Sequence, residues 1–185
     1  MRIVGVDLSL TRTGLCRVDV GPDYVDHGIH PEDIRCLFVA SGPTAKNYRA
    51  ISDRIRAVAT EVTAVLKDAD LVVIEGPSFA SRNGQTHSRD WLWGRVYDSC
   101  VDLNIPVLVV TPSQRAKYAT GKGNAPKDQV LAATIRRWPQ VNVTGNDEAD
   151  ALILAAIGCR QSGVPIDDIP KGHYEPVFKN LDPAA

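Results

Sequence analysis

Residues 3–16 read IVGVDLSLTRTGLC, and the reading of this stretch decides the fold. Ile3, Val4 and Val6 flank Gly5 in an apolar run, so Arg2 to Leu10 is predicted as a buried strand. Thr11 to Thr13 supplies turn residues, and Gly14 to Val20 returns as a second strand, which makes the pair a hairpin. Asp7 interrupts the first strand near its middle. A carboxylate removed from water costs several kcal/mol unless something pairs with it, so Asp7 is the first residue to ask about.

Outward from the hairpin, Gly21 to Glu32 carries Gly, Pro, acidic residues and histidines and reads as a loop, followed by a third strand over Arg35 to Ala40. Tyr48, Ile51, Ile55, Val58, Val62 and Val65 recur at steps of three and four, which predicts a helix with one apolar stripe. Leu71 to Ile74 is a continuous apolar run ending in Glu75-Gly76-Pro77, the pattern of a central strand covered on both faces. A helix around Ser88 to Leu103 and a strand over Pro106 to Val110 follow. Pro126 opens the helix KDQVLAATIRRW, and a last helix runs from about Asp147 to Arg160. Beyond Ser162 the chain is rich in Pro and Gly and is expected to be a surface tail over 163–185, leaving 1–162 as one domain. A three-strand meander followed by alternating helices and strands gives an α/β fold with a mixed sheet.

Composition narrows the function classes. With 185 residues the chain can bury a real core, and no apolar run approaches the roughly 20 residues of a membrane span. The N-terminus has an acidic residue in its apolar stretch and does not read as a signal peptide. Cys16, Cys36, Cys100 and Cys159 lie far apart, which suits buried thiols in a reducing cytoplasm rather than a zinc site or disulfide framework. The formal net charge is -1, yet between Pro112 and Arg137 six basic residues (Arg115, Lys117, Lys122, Lys127, Arg136 and Arg137) face Asp128 alone. Such a local basic patch suits phosphate binding, and it suits a solvated helix face equally.

Two further carboxylate features join Asp7. Glu75 terminates the strand LVVIE, and Asn146-Asp147-Glu148-Ala149-Asp150 opens an apolar helix. Asp147 and Asp150 are three apart and share a helical face, while Glu148 is expected in solvent. Each has a structural alternative: Asp147 as a partner of the helix dipole, Glu75 as the residue before a Gly-Pro turn. Brought together, the four carboxylates would repel one another without a cation. Hard oxygen ligands suit Mg²⁺ or Mn²⁺, and two such ions about 4 Å apart drive phosphodiester hydrolysis.

The segments IVGVDLSLTRTGLC, LVVIEGPSF, VTPSQRAKYATGKGNAPKDQVLAA and NDEADALILAAIG, in this order and spacing, resemble the RuvC family of Holliday junction resolvases, in the ribonuclease H-like superfamily. The resemblance covers about Arg2 to Gly158. It implies a five-stranded mixed sheet flanked by helices, with Asp7, Glu75, Asp147 and Asp150 as ligands of Mg²⁺ or Mn²⁺. It further implies branched DNA, above all a four-way junction, as substrate. Lys117, Lys122 and Lys127 fall where the family has its basic K-x-x-x-x-G-x-G-x-x-x-K region, with one residue fewer between Lys117 and Gly121 here. Phe79 stands near where resolvases place an aromatic that meets bases, with Arg82, Asn83 and Arg95 along the same groove. Trp91 and Trp93 are equally readable as core or as part of a dimer interface, and His87 as a surface histidine. Symmetric cleavage needs two active sites, so a C2 homodimer is expected.

The sequence departs from the family in carrying Asp7-Leu8-Ser9 where Asp-Pro-Gly is usual. The Gly21 to Glu32 loop and the C-terminal segment look like additions. Short RuvC-like enzymes of this kind occur in bacteriophages as well as bacteria. Three rival readings differ in class. Asp7 to Gly14 also resembles the first phosphate loop of sugar and acetate kinases, whose duplicated domain a chain of this length has no room for. A nuclease acting on other branched DNA or on ribosomal RNA precursors stays within the superfamily. A non-catalytic DNA-binding module would gain nothing from four carboxylates beside phosphates.

Overall fold

The computed structural model describes residues 1–77 and 86–181. Five strands form one sheet in the order β3-β2-β1-β4-β5: β1 (Arg2–Asp7), β2 (Arg12–Asp19), β3 (Ile34–Ala40), β4 (Leu71–Glu75) and β5 (Val107–Val110). β1, β2 and β3 pair antiparallel, while β4 runs parallel to both β1 and β5, so the sheet is mixed with β1 at its centre. The predicted hairpin forms, with Asp7 opposite Gly14.

Alternation along the strands divides the core in two. Val4, Val6, Leu15, Val72 and Ile74 pack against α2 (Tyr48–Leu66) and α3 (Thr86–Asp102). Ile3, Cys16, Val18, Leu71 and Val73 pack on the other face, beneath α6 (Asn146–Gln161) and beside α4 (Pro112–Thr120) and α5 (Lys127–Arg137). α6 is buried without a break from Glu148 to Cys159. It approaches so closely because Gly5 has no side chain: a Cβ there would stand 2.1 Å from the carbonyl oxygen of Ala151 and 2.5 Å from the amide nitrogen of Ala155. Gly5→Ala is therefore expected to destabilise the protein by about 3 kcal/mol, since neither backbone atom can yield. Urea denaturation measures it, and a loss below about 1 kcal/mol would mean that α6 shifts freely.

The structure adds to the predicted elements and alters some. The 21–32 segment holds a short helix, α1 (Tyr24–His27), and a 3₁₀ turn, Pro31–Asp33, rather than loop alone. Helix α4 was not anticipated, although its signal is in the sequence. Thr111 caps it reciprocally with Gln114, each side chain accepting from the other's amide, and Pro112 takes the first helical position. The expected surface tail is instead folded as far as it is described. Ile166, Ile169 and Val177, the last on α7 (Lys171–Phe178), enter the core, because the buried carboxylate of Asp167 holds Arg137 and Arg160. Cys16, Cys100 and Cys159 are buried free thiols, as expected, and Cys36 is half-buried. Among the described residues no helix is long and apolar enough to cross a membrane.

Candidate active site

Strand alternation decides where the carboxylates emerge. Asp7 follows Ile3 and Gly5 onto the α6 face of β1, and Glu75 follows Leu71 and Val73 onto the same face of β4. Val6 lies opposite Ile74 in the parallel pair, so the two acids stand level at the strand ends. Helix α6 starts directly above. Gly14, the partner of Asp7, leaves room for the Asp147 backbone, whose oxygen would lie 2.0 Å from a Cβ at that position. Asp150, one turn further along, is 1% exposed.

The four predicted acids are placed unequally. Asp7, Glu75 and Asp150 form the inner group. Burial first, and then the charges of Glu75 and Asp150, push the Asp7 carboxyl up to about 8. Asp150 rises to about 6, again through burial, with Arg115 and Lys127 acting against it and Glu75 adding to it. Asp147 sits at the rim, half-buried, with Arg12 Nε 3.4 Å from its Oδ2; burial raises its pKa while Lys127 and Arg12 oppose the rise.

Glu148 departs from expectation. It is buried rather than solvated, because Arg12 reaches across from β2 to bind its Oε1 at 2.6 Å and Thr144 donates to the same oxygen. Burial alone would raise its pKa; the hydroxyl of Thr144, the backbone and Arg12 together hold it below the usual range. Arg12 is itself stacked on Phe38, its guanidinium carbon 3.5 Å from the ring centre.

One residue of the site was missed by reading the sequence. Arg115, in the first turns of α4, is 5% exposed and donates through Nε to Glu75 and through Nη1 to Asp150. In the sequence it counted only as part of the basic patch. The capping box at Thr111 marks the helix that carries it, but only Glu75 and Asp150, distant in sequence, turn the side chain inward. Trp93, left open between core and interface, is half-buried, and its indole donates to the Glu75 carbonyl at 3.0 Å. Trp91 is exposed at the surface, as are His87 and Arg95.

The basic residues named for DNA contact diverge. Lys127 is 60% exposed, with Nζ 3.5 Å from Asp150 Oδ2. Lys122 is exposed just after α4, while Lys117 turns its Nζ back onto the Gly121 carbonyl at 2.7 Å. Arg137 is likewise committed inward, to Asp167 and the Ala119 carbonyl, so the patch is less free than its charge suggests. Phe79, Arg82 and Asn83 lie outside the described residues.

The donor set fits a hard divalent cation in chemistry. All four acids offer oxygen only, and Asp150 Oδ2 is buried with no closer partner than Lys127 Nζ at 3.5 Å. Among the described residues, however, no three His, Cys, Asp or Glu side chains stand arranged as a ligand cage; Arg115 bridges two of them instead.

A pH dependence follows for the metal-free protein. Asp7 and Asp150 keep their protons to higher pH in the folded state than in the unfolded chain, where an aspartate titrates near 3.8. The folded state therefore binds more protons between about 4 and 8, and stability is lost as pH rises through that window. Thermal melts in EDTA from pH 5 to 8.5 are expected to show a falling Tm. A flat or rising Tm would mean that the inner acids are neither buried from water nor in each other's field.

A mixed sheet ordered 3-2-1-4-5, with acids on β1, β4 and the helix laid across them, defines the protein as a ribonuclease H-like α/β protein. Its fold matches Thermus thermophilus RuvC with a TM-score of 0.66 at 22% identity, covering 91% of this chain and 100% of that one. The same protein in complex with Holliday junction substrate matches at 0.62 and 21%, covering 91% and 99%. In sequence, the crossover junction endodeoxyribonuclease RuvC of Mycolicibacterium smegmatis is 32% identical over 161 residues, 86% of this chain and 83% of that protein. No protein-family model matches the chain. The chain belongs to the RuvC family.

Proposed function

We propose that this protein is a structure-selective endodeoxyribonuclease that resolves four-way DNA junctions by hydrolysing a phosphodiester in each of two opposing strands. The observation that carries this reading is the convergence of Asp7, Glu75 and Asp150 from β1, β4 and α6, with Asp147 at the rim, in a chain of this family.

Asp7, Glu75, Asp147 and Asp150 would hold Mg²⁺, with Mn²⁺ able to substitute. When bound, the cation lowers the pKa of an attacking water and stabilises the leaving 3′-oxygen. The chain's own residues do the rest. Burial of Asp7 and Asp150 keeps bulk water from the carboxylates and strengthens their hold on a cation. Exposed Lys127 beside Asp150, with Lys122 nearby in sequence, meets the DNA backbone; such contacts set register and affinity without reading sequence. Phe79, Arg82 and Asn83 remain assigned to the junction through the family resemblance. The products are 5′-phosphate and 3′-hydroxyl ends, and paired cutting requires a homodimer with one site per subunit. The free thiols suit the cytoplasm.

The test is cleavage of a labelled synthetic four-way junction with Mg²⁺, beside a linear duplex and a flap. Paired symmetric nicks in the junction and none in the duplex are expected. Equal cutting of flaps would keep the nuclease and discard junction selectivity, and inertness toward every branched DNA with Mg²⁺ or Mn²⁺ would sink the proposal.

A further inference from the structure

Outside the inner group of acids, the rim holds an arginine fixed from several sides. Arg12 stands at the start of β2 and is half-buried. Its Nη2 donates to Glu148 Oε1 at 2.6 Å and to Thr144 Oγ1 at 3.0 Å. Nε lies 3.4 Å from Asp147 Oδ2, and the guanidinium carbon rests 3.5 Å from the centre of the Phe38 ring. The two acids therefore share the Nε–Nη2 edge of the group. Nη1, on the other side, makes no hydrogen bond among the described residues.

Stability does not account for this arrangement. Glu148 belongs to the stretch of α6 that is buried through Cys159, and among the described residues its Oε2 has no hydrogen-bond partner. An apolar residue of similar size would stabilise such a stretch as well or better. What the ion pair supplies is direction. A guanidinium gripped by a carboxylate and stacked on an aromatic ring has lost its freedom before a ligand arrives, so the ligand need not meet that cost. Phe38 is 45% exposed, so the stack faces solvent rather than the core. The open Nη1 carries two hydrogens in a fixed plane beside Asp147, and a phosphate oxygen is the acceptor that a guanidinium so held recognises. Lys127 of α5 is the other cation acting on Asp147. A strand laid across the acids thus meets positive charge from two elements, β2 and α5.

We propose that Arg12 binds a backbone phosphate of the cut strand, next to the phosphodiester that is hydrolysed, and that Glu148, Thr144 and Phe38 are positioning residues that hold its guanidinium for that contact. The proposal rests on the reading of the protein as a DNA nuclease. It adds a contact on β2, apart from the basic segment between Lys117 and Lys127.

The experiment uses the full chain and a synthetic four-way junction held uncut with Ca²⁺, and reads binding by fluorescence anisotropy. Uncharged methylphosphonate linkages replace, one at a time, the phosphates that flank the cut. Wild type is expected to lose about ten-fold in affinity at one of these linkages. Arg12→Gln is expected to bind the unmodified junction about ten-fold more weakly, with a salt slope shallower by about 1. At the sensitive linkage it should lose nothing further. Equal losses in variant and wild type at every linkage would overturn the inference, as would a wild type indifferent to all of them. A merely structural role would move Tm and leave the linkage pattern as it is. Should Arg12→Gln fail to fold, Phe38→Leu keeps every charge and decides instead. Its loss at the sensitive linkage should shrink to about three-fold, because the plane is no longer held, and an undiminished loss would overturn the proposal. Failure of the nuclease reading is seen separately, as a wild type that binds the junction and does not cut it with Mg²⁺.

Discussion

Asp7→Asn is expected to abolish junction cleavage, by about 10³-fold or more, while making the metal-free protein more stable. The substitution keeps the shape of the side chain and removes one negative charge. Burial and the neighbouring Glu75 and Asp150 disfavour that charge, which is why the carboxyl is pushed up to about 8. Because the folded protein must hold a proton on Asp7 up to about pH 8, an amide that needs no proton removes that cost, and Tm in EDTA at pH 8 should rise. The same removal takes away a ligand that would hold the cation against the scissile phosphate, and a 10³-fold loss corresponds to about 4 kcal/mol of transition-state stabilisation. The opposite signs are what make the test sharp. A residue kept only for folding would lose stability and activity together. Glu148→Gln serves as the contrast, because Arg12 and Thr144 stabilise that charge rather than oppose it. It should lower Tm and reduce cleavage far less. Cleavage by Asp7→Asn within ten-fold of wild type, or a fall in its metal-free Tm, would remove Asp7 from the centre.

Why Asp7 and Glu75 could be found in the sequence, and Arg115 could not, has a physical basis. A carboxylate inside or at the end of an apolar strand violates a local rule, and the violation is visible in a few consecutive residues. The period of two then fixes the face on which each emerges. The strands, α2, α3, α5 and α6 were legible for the same reason: their apolar spacing is dictated by a sheet or helix that buries one side. Arg115 violates nothing locally. In PSQRAKYAT it looks like one of several solvated basic residues, and only the carboxylates of β4 and α6, brought from 40 and 35 positions away, make its burial favourable. Glu148 was misplaced for the matching reason, since its partner Arg12 lies 136 residues earlier. Pairing of charges across the fold leaves no trace in local composition.

The segment after Ser162 shows the same effect on a larger scale, and it carries the second large prediction. Its Pro and Gly residues read as tail, yet the Asp167 side chain is fully buried and accepts from Tyr118 of α4, Arg137 of α5 and Arg160 of α6. Trp138 donates its indole to the Ile166 carbonyl at 3.2 Å, and Gln114 donates to the Asn180 carbonyl at 3.0 Å. One carboxylate thus ties three helices together, and one of them is the helix that carries Arg115. Asp167→Ala strands two mostly buried guanidinium groups without a counter-charge, and a loss of about 3–5 kcal/mol is expected. Asp167→Asn should recover part of this through its remaining acceptor oxygen. A chain ending at Ser162 should not fold stably, since it also exposes the core that Ile169 and Val177 cover. Urea unfolding followed by circular dichroism measures all three. If the shortened chain unfolds within about 1 kcal/mol of the full one, the segment is an accessory after all. If it fails as expected, the frame of α4, and with it the position of Arg115 between Glu75 and Asp150, depends on residues whose composition alone marks them as dispensable.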